Sequence, residues 1–112
     1  MLHDKGQLVH LETSGSHPLT GKFDWVCLSP KRKGPPQPAI FPLANELKVI
    51  IFDETDFEWA EENAAKVGSD CFLCLQPEWS RSQAMMPLIV EYVQQHPQWH
   101  VSLQTHKYMH IP

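Results

Sequence analysis

The sequence predicts an α/β fold, a mostly parallel sheet covered by helices. Three observations carry this prediction. Five short segments have strand composition, two longer ones repeat apolar residues at helical spacing, and the two kinds alternate through the second half of the chain. Right-handed strand–helix–strand connections lay successive strands side by side, pointing the same way. At 112 residues the chain makes one domain, and its 42% hydrophobic content, with four Trp and five Phe, supplies a packed core.

The strands are read, in order, at Gln7–Thr13, Phe23–Ser29, Glu46–Phe52, Cys71–Gln76 and His100–Thr105. β-Branched and aromatic residues fill them, and Gly, Pro, Ser or Asp bounds them. The first helix starts after Thr55, which forms a T-x-x-E capping box with Glu58. Phe57, Ala60, Ala64 and Val67 recur along one helical face, and Gly68 is placed to end it. The second helix runs from about Ser82 to Gln95, with Met86, Ile89, Val90 and Val93 as its apolar face. Pro87 belongs in its first turn, which puts the regular part from about Met86 onward; His96 and Pro97 close it. The stretch KRKGPPQPAIFP, Lys31 to Pro42, is too rich in proline for a regular element and reads as a loop, with one helical turn near Leu43–Asn45. The opening MLHDKG reads as the last turn of a helix closed by Gly6. The first strand then lies at an open sheet edge, an aggregation hazard unless covered. The expectation is that this chain is the C-terminal part of something longer, or needs a partner there.

Charge narrows the function. A formal net charge of −4 argues against a nucleic-acid backbone as main partner, and no basic helix points to a membrane surface. The longest apolar stretch, around Val49–Phe52, is too short to span a bilayer, and no signal peptide is visible. Three cysteines inside apolar runs fit a reduced, cytoplasmic home.

Strand side chains alternate between faces, and sorting them is informative. Val9 and Leu11 oppose His10 and Glu12. Trp25, Cys27 and Ser29 share a face. Lys48 interrupts Leu47, Val49 and Ile51. Cys74 aligns with Gln76, and Ser102, Gln104 and His106 oppose Val101 and Leu103. One face of nearly every strand is polar or small, most so at its C-terminal end. Either that face is simply solvated, or it lines a barrel or partial barrel whose ligand sits at the strand tips.

The tips supply the parts. Glu12, in ETSGS, holds a ribose diol or an ammonium group, or else pairs with a lysine. Ser29, Pro30 and Lys31 set a hydroxyl and an ammonium beside a fixed turn, suited to a carboxylate. Gln76, Pro77, Glu78 and Trp79 offer amide hydrogen bonds beside an aromatic plane, as an adenine site needs; a lone Trp is more often core. Gln104 to Lys107 is the densest polar cluster, with His106 as an acid–base group or a donor to a heterocycle. Cys71-x-x-Cys74 has the spacing of a metal or redox pair, but residues three apart on a strand point to opposite faces. Packed cysteines are the expectation there and at Cys27. Residues alone stop at an α/β domain with a polar ligand-binding face at its strand ends.

Taken together, VHLETSGS, CLSPKRK, ELKVIIF, FLCLQPEWSR, MMPLIVEYV and VSLQTHKYMHIP resemble, in this order and spacing, the C-terminal half of 7-carboxy-7-deazaguanine synthases. These belong to the radical S-adenosylmethionine (SAM) superfamily and act in biosynthesis of queuosine and other 7-deazapurines. The resemblance implies a C-terminal half of a modified, partial (β/α) barrel, about five mostly parallel strands covered by two main helices. It implies a lyase-type ring contraction of 6-carboxy-5,6,7,8-tetrahydropterin to 7-carboxy-7-deazaguanine with loss of ammonia. Cofactors of the complete enzyme would be SAM, a four-iron four-sulfur cluster and Mg2+, and the usual assembly a homodimer. By position, Ser29, Pro30, Lys31 and Gln76 through Trp79 would fall in the SAM site, with Glu12 near the ribose or methionine end. Pro112 would offer its terminal carboxylate to the pterin substrate, with His106 and Gln104 beside it. The cluster motif C-x3-C-x2-C, the Mg2+ ligand and a glycine-rich strand gripping the SAM amino group are missing from this chain. Cys27, Cys71 and Cys74 do not have that spacing. The expectation is a half-barrel segment over residues 1–112, inactive alone: a truncated product or one piece of a split enzyme. The alternative is a non-catalytic half-barrel that binds or interacts.

Overall fold

The structure, a computed structural model, describes residues 10–17, 21 and 23–102. Its five strands are β1 (His10–Thr13), β2 (Trp25–Leu28), β3 (Glu46–Ile51), β4 (Phe72–Pro77) and β5 (Trp99–Val101). They form one sheet in sequence order, every neighbouring pair parallel. Helix α1 (Thr55–Ala64) joins β3 to β4, and α2 (Ser82–Gln95) joins β4 to β5. The expected α/β architecture of parallel strands and two main helices is what forms.

One sheet face carries the core. Leu28, Leu47, Val49, Ile51 and Leu75 are fully buried there, with Trp99 at the start of β5, against Ala60 of α1 and Met85 and Ile89 of α2. Each buried aliphatic side chain contributes about 2 kcal/mol of transfer free energy. Between β2 and β3 no α-helix covers the sheet. A 3-10 segment, Pro38–Leu43, does so instead and buries Ile40 and Phe41. It sits earlier than the turn expected near Leu43–Asn45, because Pro38 starts the segment where a missing N–H costs nothing.

The helices differ from expectation in detail. The Thr55–Glu58 capping box does not form: Glu54 holds the N-cap position without a side-chain bond, and Thr55 lies inside the helix. Acids do the capping work. Asp53 Oδ1 accepts the Thr55 N–H at 2.9 Å and the Thr55 hydroxyl, which hold its carboxyl below its usual range. Helix α1 stops at Ala64, before Gly68, because Lys66 N–H turns back to Asn63 O at 3.0 Å and closes the helix in a tighter turn. Helix α2 begins at Ser82, upstream of Met86, and Pro87 lies inside it. A 3-10 turn, Trp79–Arg81, capped by Glu78 accepting from Ser80 N–H, leads straight into the helix, so Pro87 forfeits only its own hydrogen bond. Its buried face is Met85 and Ile89 with Leu88, Tyr92 and Val93 packed beside them, while Val90 is 40% exposed. The apolar stripe is rotated from the one expected because Tyr92 buries its ring and keeps its hydroxyl for Glu61.

Candidate functional site

Main-chain hydrogen bonds run past the strand ends and align the C-terminal tips. Ser29 N–H reaches Thr13 O at 2.7 Å, Glu78 N–H reaches Ile51 O at 2.9 Å, and Ser102 N–H reaches Leu75 O at 2.8 Å. The turn after β1 is stitched to the proline-rich loop. Gln37 N–H bonds Gly15 O at 2.8 Å and Gln37 Nε2 bonds Ser16 O at 3.1 Å. Gly15 has φ +76° and fits a gap where a Cβ would stand 2.8 Å from Leu28 Cδ1 and 2.9 Å from Pro36 Cβ.

Register pairs Glu12 with Cys27, Cys27 with Glu46, Lys48 with Cys74 and Ile50 with Gln76. Paired residues of parallel strands share a face, so these side chains lie on the face opposite the helices. It is not a simply solvated face: Cys27, Ser29, Cys74 and Gln76 are all buried. Lys48 Nζ bonds Glu12 Oε2 at 2.6 Å across β2. Burial works against the Lys48 charge, yet the Glu12 hydrogen bond and charge prevail and hold its ammonium above the usual lysine range. Ser102 Oγ bonds Gln76 Oε1 at 3.1 Å, Trp25 Nε1 donates to Glu46 Oε1 at 2.9 Å, and the Phe72 and His100 rings stack at 4.3 Å.

Ser29 is 8% exposed, and its hydroxyl has no hydrogen-bond partner among the described residues. The Cys27 thiol, on which Ser29 acts, is too weak an acceptor to satisfy it. A buried orphan hydroxyl costs about 1–3 kcal/mol unless a ligand or water meets it. Pro30 is buried beside it, and exposed Lys31 forms an antiparallel bridge with Gly34 that tightens the turn. On the other side of β3, Gln76 and Pro77 end β4 in buried positions, Glu78 caps the following turn, and Trp79 is 45% exposed. Ser29–Lys31 and Gln76–Trp79 therefore share one sheet edge, with only the tip of β3 between them. Glu12 lies on the same sheet face, as the lysine-paired carboxylate. Gln104, His106 and Pro112 fall outside the described residues.

A cavity of about 420 Å3 opens at this edge, walled by Pro30, Lys31 and Arg32 after β2, Ile50, Phe52 and Asp53 around the end of β3, and Thr55, Asp56 and Trp59 of α1. Arg32, Asp56 and Phe52 went unrecognised in the sequence. The Arg32 guanidinium stacks over Trp59 at 4.7 Å and reaches Asp56 Oδ1 at 2.6 Å. The pair of acids at Asp53 and Asp56, just after a strand, was the signal available.

The thiols do not form a metal centre. Among the described residues, no group of three His, Cys, Asp or Glu side chains could hold a metal ion. Cys71 packs toward the core, whereas Cys74 lies on the opposite face and donates to Glu46 Oε2 at 3.7 Å. Burial, then the Glu46 charge, pushes Cys27 and Cys74 up to about 12 and Cys71 up to about 11. A cluster needs thiolates, so these residues do not fit one. The strand tips, with an orphan hydroxyl and a buried amide, do suit a polar cofactor such as SAM. No helix among the described residues is long and apolar enough to cross a membrane.

No family model matches the chain. Curated proteins do. The chain is 55% identical over 104 residues, 93% of its length, to the 7-carboxy-7-deazaguanine synthase of Flavobacterium psychrophilum. It is 54% identical over 110 residues to that of Synechocystis sp., and 34% identical over 111 residues to that of Burkholderia multivorans. The crystal structure of QueE from Escherichia coli superposes with a TM-score of 0.76 at 27% identity, over 92% of this chain and 47% of that one. The chain spans about half the length of the curated relatives it matches. It is a relative of the 7-carboxy-7-deazaguanine synthases, corresponding to their C-terminal half.

Proposed function

We propose that this chain supplies the C-terminal half-barrel of a 7-carboxy-7-deazaguanine synthase and works with a second, cluster-bearing half. The reaction is the contraction of the ring of 6-carboxy-5,6,7,8-tetrahydropterin to 7-carboxy-7-deazaguanine with loss of ammonia. The observation that carries the reading is the Ser29 hydroxyl, buried and unpartnered at the edge where Gln76 to Trp79 also end. When bound, SAM and the cluster supply the radical chemistry, and Mg2+ assists on the other half. This chain's residues bind and orient. Ser29 and Lys31 take polar and carboxylate groups of SAM, and Gln76 with Trp79 holds its base. Glu12, paired with Lys48, faces the ribose or methionine end. Gln104, His106 and Pro112 take the pterin. The second half covers the sheet face opposite the helices, where Trp25 is 36% and Phe72 42% exposed. The complete enzyme is a cytoplasmic homodimer in this reading.

The test combines this chain, under anaerobic reducing conditions, with the N-terminal half of the Flavobacterium psychrophilum relative, SAM, Mg2+ and the pterin. Product is read by mass spectrometry. Product from the mixture and none from the chain alone is the expected result. Turnover by the chain alone refutes the need for a second half. A mixture that binds SAM but forms no product favours the non-catalytic module.

A further inference from the structure

We infer that Asp56 is a positioning residue that sets the shape of the candidate SAM site by tying together the turns after β2 and β3. The inference rests on the proposed SAM-binding role of the strand tips. Asp56 lies on α1, is only 7% exposed, and hydrogen-bonds to Arg32, Phe52 and Asp53, which are outside the residues assigned to SAM. Its carboxylate is nevertheless fully engaged. Oδ2 accepts the main-chain N–H of Phe52 at 2.8 Å and of Asp53 at 3.2 Å. Oδ1 accepts Arg32 Nη2 at 2.6 Å and Nε at 3.2 Å. One buried side chain thus fixes the backbone where the chain leaves β3 and also the residue that follows Lys31.

The consequence is geometric. A buried carboxylate accepting four hydrogen bonds has little freedom, so it transmits the rigidity of α1 to both turns. Arg32 is held from two sides, by Asp56 and by the face of Trp59 at 4.7 Å, although its side chain is 54% exposed. Phe52 is also held from two sides. Its N–H is taken by Asp56, and its carbonyl accepts Arg81 Nε at 3.2 Å, while the Arg81 guanidinium covers its ring at 5.2 Å. A half-exposed aromatic ring so firmly anchored is a fixed wall between the tips bearing Lys31 and Trp79. Ligand affinity at such a site depends on ordering the walls beforehand. Releasing Asp56 should weaken SAM binding while every residue assigned to SAM stays unchanged.

The test compares wild type with Asp56→Asn and Arg32→Gln. Asp56→Asn keeps volume but loses the charge and replaces one acceptor oxygen with an NH2 donor, so it cannot serve both turns. Arg32→Gln frees the turn after β2 and leaves the Phe52 and Asp53 bonds in place. Two quantities are read: amide hydrogen exchange at Phe52 and Asp53 in the chain, and the Kd for SAM of the chain combined with a cluster-bearing N-terminal half. Asp56→Asn should speed exchange at both amides by about tenfold and raise Kd by about tenfold, the equivalent of one lost hydrogen bond. Arg32→Gln should raise Kd while leaving those amides slow. Faster exchange with unchanged Kd, or unchanged exchange, overturns the positioning role alone. A wild-type assembly that binds no SAM overturns the reading of the site as well.

Discussion

Replacing Glu61 with alanine should unfasten the two helices from the last strand. Glu61 Oε2 accepts Trp99 Nε1 at 2.9 Å and also the Tyr92 hydroxyl, so one carboxylate on α1 joins α2 and β5. Tyr92 is itself sandwiched between Phe57 at 4.4 Å and His96 at 4.0 Å. Burial first, then the Glu61 hydrogen bond and charge, holds the Tyr92 phenol well above its usual range. Trp99 is 1% exposed, so removing its acceptor strands an indole N–H in the core. Such a stranded donor costs about 1–3 kcal/mol, and a hydrogen bond to a charged acceptor contributes about 1.5–3. The half-exposed Tyr92 hydroxyl recovers water, which offsets part of its loss. Glu61→Ala should therefore destabilise the fold by about 3 kcal/mol, lowering Tm by about 12 °C for a domain of this size. Glu61→Gln, which keeps a neutral acceptor, should cost about 1 kcal/mol. Urea unfolding followed by far-UV circular dichroism, with Tyr92→Phe as a partner for a double-mutant cycle, measures both. A Glu61→Ala variant within about 0.5 kcal/mol of wild type would mean that this clamp is decorative.

Gly15→Ala should cost more than 2 kcal/mol by estimate from overpacking (~1–3) and left-handed strain (~1–2), because the added methyl meets Leu28 and Pro36 under 3 Å; denaturant titration reads it. Cys27 and Cys74 should resist iodoacetamide at pH 8 in the native protein and react fully in urea, since their folded thiols titrate near 12; mass mapping that finds them modified as fast as a free thiol contradicts their burial. Their raised values also fix a pH sign. The stabilising contribution is whole below about pH 9, where unfolded thiols stay protonated, and drains away as pH rises toward 12. A Cys27→Ala, Cys74→Ala variant should therefore lose less stability than wild type between pH 9 and 11, as urea midpoints would show. Lys48→Met should leave SAM affinity of the combined halves lower by several-fold because Glu12 loses its partner and swings free, and isothermal titration that finds no change removes Glu12 from the site.

Much of the layout was legible because it depends on local pattern. Helix α2 occupies Ser82–Gln95 as its flanking signals indicated, and the alternation argument separated Cys71 from Cys74 onto opposite faces. Period-two reading also placed Glu12, Cys27, Ser29, Lys48 and Gln76 on one side of the sheet. The failures share a cause, since each depends on where the folded backbone places a group rather than on local pattern. The Thr55 capping box lost to Asp53 and Asp56, whose position is set by the end of β3. The buried stripe of α2 turned toward Tyr92 because Glu61, 31 residues earlier, offers its hydroxyl a home. Arg32 lies in the proline-rich loop, where the sequence assigns it no role, and only the fold brings it against Asp56 and Trp59 of α1. Ser29 was chosen for its tripeptide, whereas the property that matters, burial without a partner, belongs to the folded sheet.

The most direct measurement is the SAM affinity of this chain combined with a cluster-bearing half, compared between wild type and Ser29→Ala. A weakening of about tenfold, with the unfolding midpoint unchanged or raised, is the predicted result, because the orphan hydroxyl meets its partner only in the ligand. Equal affinity for SAM in the two proteins would contradict the assignment of the strand tips on which the account rests.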